Sequence, residues 1–319
     1  MLQYFIRRLL MLFPVLFVVS LTVFALMRLL PGDAALLMAV GGEGALYDPA
    51  VIEALREKLG LNKPYIVQYV EWVWNILRYG DFGTSFWTGE PVVTEISRRL
   101  LLTANLAIAT VFVSLTIAIP VGVISAVRQD SFLDYAGRFV SISGLSMPGF
   151  WIGTLFILFG AIWFGYLPPP GYVAPWVNPW VNFQQMLLPA ITMGISDSAR
   201  AMRMTRSQML EVIRQDYIRT AWAKGLRERS VVVKHALKNA LIPVVTIVGI
   251  DFGYLLGRTV IVETVFSLPG LGSLTLSAIF NRDYPQIQGN ILVIAAMFVV
   301  VNFVVDVIYA LIDPRIRYR

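Results

Sequence analysis

Several stretches of about twenty consecutive, mostly apolar residues constrain the fold of this chain more than any other feature. Their apolar residues run continuously and do not alternate, which favours membrane-spanning helices over the strands of a barrel. Only 14% of the 319 residues are charged, against about 25% in soluble domains. Because a backbone inside a bilayer must satisfy its hydrogen bonds internally, we predict an all-α membrane protein.

We predict six transmembrane helices, one of which is much more polar than the rest. That helix, at residues 187–204, contains Asp197 and Arg200. The number of crossings requires this helix. With a cytoplasmic amino terminus, three spans leave the uncharged loop at residues 166–186 outside, whereas the charge bias places the basic loop at residues 206–236 in the cytoplasm. One more crossing must therefore connect the two loops. The predicted spans are residues 1–30, 100–127, 139–164, 187–204, 240–261 and 291–312.

A polar insertion of about seventy residues follows the first span. One helix is predicted from Asp48-Pro49 to Gly60 and another from Pro64 to Tyr79, because proline favours the first turn of a helix and glycine its end. The second helix has an aromatic stripe, which we expect to be buried against the spans or a sister subunit. The stripe contains Tyr65, Tyr69 and Trp72.

A short loop and a helix break are predicted within the spans that follow the insertion. Residues 128–138 are predicted to form a short loop between the second and third spans. The third span is predicted to break at Met147-Pro148-Gly149, because proline interrupts the helical hydrogen bonds.

The basic loop is the most polar part of the chain, and ten of the 26 Lys and Arg residues lie between Arg200 and Lys238. We predict one helix over residues 208–224 that ends at Gly225, since glycine tolerates the left-handed conformation that closes a helix. Its apolar face is predicted to contain Leu210, Ile213, Tyr217 and Ala221. A second helix is predicted from Ser230 onward.

Two interpretations of this loop stay open on its pattern alone. The small residues Ala221, Ala223 and Gly225 would let the surface of another protein come close. Alternatively, the loop is a solvated basic segment that only sets the orientation of the chain in the membrane.

The loop resembles the coupling loop of ABC importer permeases, and it is most similar to the dipeptide/oligopeptide branch. The similar segments are Asp216-Tyr217-Ile218-Arg219-Thr220-Ala221, Ala223-Lys224-Gly225-Leu226 and His235-Ala236-Leu237-Lys238-Asn239-Ala240-Leu241 with Pro243. Other parts of the chain resemble the same branch, in the same order: Leu30-Pro31-Gly32-Asp33, Leu59-Gly60-Leu61-Asn62-Lys63-Pro64, Gly80-Asp81-Phe82-Gly83-Thr84-Ser85 and Phe266-Ser267-Leu268-Pro269-Gly270-Leu271-Gly272.

The resemblance implies the type I ABC importer permease fold, with a helical outer insertion after the first helix. The implied parts are a first transmembrane helix at residues 1–30, an extracytoplasmic insertion at 31–98, a permease core at 99–312 with a coupling loop at 206–238, and a cytoplasmic tail at 313–319. The residues that it implies for coupling to the ATPase are Asp216, Tyr217, Arg219, Thr220, Ala221, Ala223, Lys224, Gly225, Leu226 and His235. Trp222 stands where that branch often has arginine.

The resemblance also implies a function and partners. The chain would form half of the translocation pathway for di- or oligopeptides that an extracytoplasmic substrate-binding protein delivers. Its partners would be a second homologous permease subunit and two ATP-binding cassette subunits, which would bind ATP and Mg²⁺. The expected location is a bacterial or archaeal inner membrane, with both termini cytoplasmic. Related permeases carry glutathione, nickel complexes or oligosaccharides as alternative substrates.

The residues themselves give little support to other classes of function. The chain has one histidine and no cysteine, so we expect neither a metal site nor thiolate chemistry. The phosphate-binding Gly-x-x-x-x-Gly-Lys-Ser/Thr pattern is absent from the sequence, so this chain is not expected to hydrolyse ATP. The resemblance assigns that reaction to the separate cassette subunits. No nucleic-acid partner is expected. The alternative class is a secondary transporter or channel, which would require ion sites at broken helices and often an inverted repeat.

Charged side chains in the predicted spans are candidates for the translocation pathway, because a carboxylate at the bilayer centre costs about 2.5 kcal/mol or more. Asp251 is the most central of them and is predicted to face the pathway or a sister subunit. The further pathway candidates are Met147, Pro148 and Asn302. Asp197 and Asp306 are candidates as well. The alternative for Asp197 is an ion pair with Arg200, and the alternative for Asp306 is a position in the headgroup region near the cytoplasmic end.

Overall fold

The computed structural model describes residues 2–29, 35, 49–58 and 60–312. No β-strand occurs among these residues, and the all-α prediction is confirmed. The helices are α1 (Leu2–Leu29), α2 (Pro49–Lys58), α3 (Tyr65–Tyr79), α4 (Val92–Val127), α5 (Phe132–Ser146), α6 (Gly149–Phe164), α7 (Pro179–Ile213), α8 (Asp216–Ala223), α9 (Glu228–Val265), α10 (Leu271–Phe280) and α11 (Tyr284–Ile312). The predicted tail at residues 313–319 and the Leu30–Asp33 segment lie outside the described residues.

Among the described residues, four helices, α1, α4, α9 and α11, are long and apolar enough to cross a membrane. A fifth crossing results if α5 and α6 are counted together, since they form an apolar pair bent by 101°. The bend follows Met147, whose backbone is extended (ψ 128), as the residue before a proline prefers. These elements correspond to the five apolar spans of the prediction, including the predicted break.

The sixth predicted span, residues 187–204, lies inside α7, which is one continuous helix of 35 residues. At about 1.5 Å per residue, α7 is roughly 50 Å long, more than the roughly 30 Å of a hydrocarbon core. Many of its side chains are buried, including the polar Ser196, Asp197 and Ser198. Since α7 packs against α5, α6 and α9, these neighbouring helices shield its polar side chains from lipid. A hydropathy profile of the sequence alone does not include this shielding.

The predicted loop at residues 128–138 is wrong in its length, because α5 already begins at Phe132. The Ser131 hydroxyl accepts a hydrogen bond from the Asp134 backbone N–H at 3.4 Å and so caps the helix. This cap satisfies an N–H group that a longer loop would have left to solvent.

The described chain divides into two compact units. The first contains Leu102–Leu268 and the described residues from Val300 onward, so α5 to α9 belong to it. The second contains Leu2–Leu101 and Pro269–Val299. The insertion therefore shares a compact unit with α1, α10 and the beginning of α11.

In the second unit, the helices of the insertion form close to where the sequence predicts them. Gly80 has φ 65 and ends α3 in the left-handed conformation. Tyr69 contacts the Phe24 ring of α1 edge-on, with 5.4 Å between centroids, and its hydroxyl lies 2.8 Å from Ser20 Oγ. Tyr65 is 65% exposed and does not pack against α1, so its burial against a sister subunit stays a prediction.

The turn that follows α3 is fastened to the start of α11 by the buried carboxylate of Asp283. This carboxylate accepts hydrogen bonds from the Ser85 hydroxyl at 2.5 Å and from the Phe86 backbone N–H at 3.1 Å. It also accepts one from the Gln286 backbone N–H at 3.4 Å, in the first turn of α11. The serine of the Gly80–Ser85 segment therefore has a structural role within this unit.

Candidate functional site

The basic loop folds into a short helical hairpin beyond the end of α7. The helix α7 ends at Ile213, and α8 begins at Asp216, after two intervening residues. At the other end, Gly225 has φ +74, which other residue types rarely adopt. The chain then turns into α9 at Glu228. The predicted glycine ending is confirmed.

The prediction of one helix over residues 208–224 is wrong, because the chain leaves the helix at Arg214 and Gln215. This break changes the angular phase of the residues beyond it. Ile218 is fully buried and Ala221 is 7% exposed, whereas Tyr217 is 45% exposed. The buried face of α8 is therefore not the continuation of the α7 face that a single helix would give.

The buried face of α8 belongs to a small apolar core. The buried members of this core are Ala126, Met209, Ile218, Ala221, Val231, Ala236 and Ala240. They come from α4, α7, α8 and the start of α9, so the hairpin is packed on the helix bundle of its own unit. The prediction that Ala221 lets another protein approach is wrong, because its methyl group already faces this core.

The opposite face of α8 and the turn after it are exposed. We call this the hairpin surface; its exposed residues are Asp216, Tyr217, Arg219, Thr220, Trp222, Ala223, Lys224, Gly225, Leu226, Arg227, Glu228 and Arg229. Two aromatic rings stand on it, Tyr217 and Trp222, each 45% exposed. Four basic side chains outnumber two acidic ones. An exposed aromatic and basic surface of this kind is typical of protein–protein contacts.

The first turns of α9 contain a π-helical segment, Val231–Leu237, which includes His235. The wider π-helix is rare in proteins and frequently occurs at functional sites. The Asn239 side-chain amide donates to the Tyr217 hydroxyl at 2.7 Å and to the His235 carbonyl oxygen at 3.3 Å. The Asn239 amide therefore connects α8 to the π-helical segment at the start of α9.

A buried carboxylate that the sequence analysis missed is bound near the end of α7, the helix that leads into the hairpin. The Asp134 side chain is fully buried and accepts two hydrogen bonds from Arg206 of α7, from Nε and Nη2, both at 2.8 Å. It also accepts hydrogen bonds from Ser125 Oγ at 2.6 Å and from Arg138 Nε at 3.1 Å. We call these four side chains the Asp134 cluster. The Asp134-x-x-x-Arg138 spacing was a local signal, but Arg206 is remote in sequence.

The charged residues of the predicted spans form a second cluster, between α7 and α9. Asp197 Oδ1 lies 3.4 Å from Arg200 Nη2, so the expected pair exists, but its shorter contact is to Arg258 Nη1 at 2.6 Å. Arg200 Nε lies 3.4 Å from Asp251 Oδ2. The four charges oppose one another in pairs, which lowers the cost of burying them.

The pathway candidates lie on separate elements. Met147 and Pro148 are at the bend between α5 and α6, and Met147 is 42% exposed. Asp251 lies in α9 and lines a small cavity together with Asp197. Asn302 lies in α11 and is partly buried. The ion pair with Arg200 ties Asp251 to α7.

Comparison with known families accounts for nearly the whole chain. Residues 118–318 match the model of the family described as "Binding-protein-dependent transport system inner membrane component". Residues 1–107 match the model of the N-terminal part of the membrane components of such systems.

Individual relatives are similar over their full length. The probable peptide ABC transporter permease protein y4tP of Sinorhizobium fredii is 43% identical, with 99% of each chain covered. The glutathione transport system permease protein GsiC of Pectobacterium atrosepticum and the dipeptide transport system permease protein DppB of Alkalihalophilus pseudofirmus are each 42% identical, with both chains fully covered.

One solved structure is similar in fold. It is a chain of the inward-facing MetNI methionine ABC transporter, with a TM-score of 0.57 and 20% identity. The match covers 70% of this chain and 99% of that chain. At this identity the similarity concerns the fold alone.

Proposed function

The chain belongs to the family of binding-protein-dependent transport system inner membrane components, and we propose that it forms half of the translocation pathway for short peptides. It has the fold of an ABC importer permease. The observation that carries the peptide assignment is the full-length similarity, at 42–43% identity, to permeases named for peptide and dipeptide transport. A glutathione permease at 42% identity supports a second candidate substrate.

The same proposal includes the partners. The importer would contain a second permease subunit, two ATP-binding cassette subunits and an extracytoplasmic substrate-binding protein. ATP and Mg²⁺ would be bound by the cassette subunits and not by this chain. The exposed, basic and aromatic hairpin surface supports a contact with those subunits, since aromatic residues and arginine are enriched at interfaces.

In this proposal the hairpin transmits movement between the cassette subunits and the helix bundle. Energetic coupling needs a physical element that both sites can displace. The hairpin meets that requirement, because Ile218 and Ala221 are packed into the core of the bundle while Trp222 is exposed. The pathway role of Asp251, Met147, Pro148 and Asn302 is part of the same proposal.

Uptake by reconstituted vesicles tests the function. We expect vesicles that contain the chain together with its second permease subunit and the cassette subunits to accumulate a labelled dipeptide in a saturable manner that requires both ATP and the binding protein. Glutathione, a nickel–histidine complex and an oligosaccharide serve as competing substrates. Peptide uptake that a proton or sodium gradient drives without ATP would instead indicate a secondary transporter.

The orientation in the membrane is a separate prediction. We expect both termini and the hairpin in the cytoplasm and the loop at residues 166–178 outside, because the hairpin is basic and that loop carries no charge. Alkaline phosphatase and green fluorescent protein fusions at residues 175 and 228 check this. The phosphatase should be active only at 175 and the fluorescence present only at 228. Equal reports from both positions would mean that α7 does not cross the membrane.

A further inference from the structure

The second unit contains a cavity that the transport function does not account for. Its volume is about 360 Å³, and it lies among α1, α3, the turn after α3 and the first turn of α11. Aromatic side chains form part of its wall, including Phe24, Trp72 and Phe82. Cavities of a few hundred cubic ångströms with aromatic walls and a few polar groups are typical of small-molecule sites.

Four of the side chains that line this cavity each contain a buried polar atom that has no hydrogen-bond partner within the described part of the chain. Three are donors: Arg28 Nε, Trp72 Nε1 and Gln288 Nε2. The fourth is the acceptor Gln68 Oε1. Gln68 and Gln288 are only 7% and 6% exposed. Because a buried polar group without a hydrogen-bond partner is unfavourable, four such groups in the side chains around one cavity favour a polar occupant.

The side chains that carry these atoms are held in place by other contacts. Gln68 Nε2 donates to the backbone oxygens of Leu61 at 3.1 Å and Lys63 at 2.8 Å, so its amide is fixed. The Arg28 guanidinium lies over the Phe24 ring, 5.0 Å from the centroid. Such contacts make the site pre-organised, and a ligand would not have to order these side chains on binding.

The three donors and one acceptor without partners indicate which chemical groups a ligand of this cavity would need. Three N–H donors, one of them on a permanently charged guanidinium, match the lone pairs of a carboxylate. Glu71 also lines the cavity, but Lys63 Nζ lies 2.6 and 2.8 Å from its two oxygens and neutralises it. The acceptor Gln68 Oε1 matches an amide N–H of the same ligand.

We propose that this cavity binds a short peptide through its carboxylate, as a site separate from the pathway candidates of the first unit. Arg28, Trp72 and Gln288 would hold the carboxylate, and Gln68 would accept a peptide N–H. The choice of a peptide, as opposed to another small carboxylate with an amide, rests on the proposed function.

Binding of the dipeptide Ala-Phe to the complete importer in nanodiscs, without binding protein or ATP, tests the proposal. We expect Trp72→Phe and Gln288→Leu each to raise the Kd at least tenfold, because each removes one donor and keeps most of the side-chain volume. The C-terminal amide of the same dipeptide should bind at least tenfold more weakly than the free acid. Trp74→Phe is the matched control on the same helix, since Trp74 is 56% exposed, and it should leave the Kd unchanged.

A second readout separates loss of a site from loss of folding. Without peptide, Trp72→Phe and Gln288→Leu should unfold at the same temperature as the wild type or higher, because an unpartnered buried group has been removed. No saturable binding, or equal Kd values for wild type and both variants, would overturn the inference and indicate solvent as the only occupant. Uptake by vesicles of the same preparations distinguishes the two proposals: peptide transport without cavity binding overturns this inference alone, whereas absence of peptide transport contradicts the proposed function.

Discussion

Replacement of Asp134 by asparagine is expected to destabilise the first unit strongly and to loosen the base of the hairpin. The substitution keeps the shape of the side chain but removes the charge that holds Arg206 and Arg138. Removal of one partner of a buried ion pair typically costs about 3–5 kcal/mol. We expect the lower end of that range, because the Arg206 and Arg138 side chains are 20% and 39% exposed and water can reach them.

The matched control for this prediction is Asp130→Asn. The Asp130 side chain is 64% exposed and lies 3.4 Å from Arg138, and exposed pairs contribute at most about 1 kcal/mol. Asparagine also tolerates the positive φ of 59 at this position. Thermal unfolding of the purified importer, followed by tryptophan fluorescence, should show a large fall in midpoint for Asp134→Asn and little change for Asp130→Asn. Equal midpoints would show that the Asp134 cluster contributes no net stability.

The second large effect is expected at the hairpin surface. Truncation of Trp222 to alanine removes an aromatic ring that is 45% exposed and is not among the buried core residues of the described part of the chain. Buried aromatic side chains at the centre of interfaces often contribute about 2 kcal/mol or more to binding, so association with the ATP-binding subunits should weaken roughly thirtyfold. Pull-down of those subunits and ATP-driven uptake by vesicles measure the effect. Unchanged association and unchanged uptake would mean that this loop only sets the orientation of the chain.

Two companion variants separate docking from folding. Ala221→Trp should lower the yield of folded protein, because Ala221 is 7% exposed and its side chain points into the apolar core under α8. Gly225→Val should distort the turn, because φ +74 costs a residue with a β-carbon about 1–2 kcal/mol. Gly225→Asn is its control, since the space around Gly225 is open and asparagine adopts this conformation more readily.

The same hairpin shows how far the sequence alone could reach. Its position, its charge and its ending at Gly225 were all predictable, because each depends on a few consecutive residues. Its buried face was not, because the break at Arg214 and Gln215 changed the phase of α8. Hydrophobic periodicity is a property of one uninterrupted helix, and a two-residue interruption removes the basis for extending it.

The amino-acid sequence by itself determined the all-α membrane class, the five apolar spans and the bend before Pro148, because apolar length and proline geometry act locally. Only the tertiary structure decided that Asp197 lies nearest to Arg258, that Arg206 holds Asp134, and that Arg28 and Gln288 line one cavity. The physical reason is distance along the chain. Such pairs are about 60 residues or more apart, and nothing in either local segment encodes the packing that brings them together.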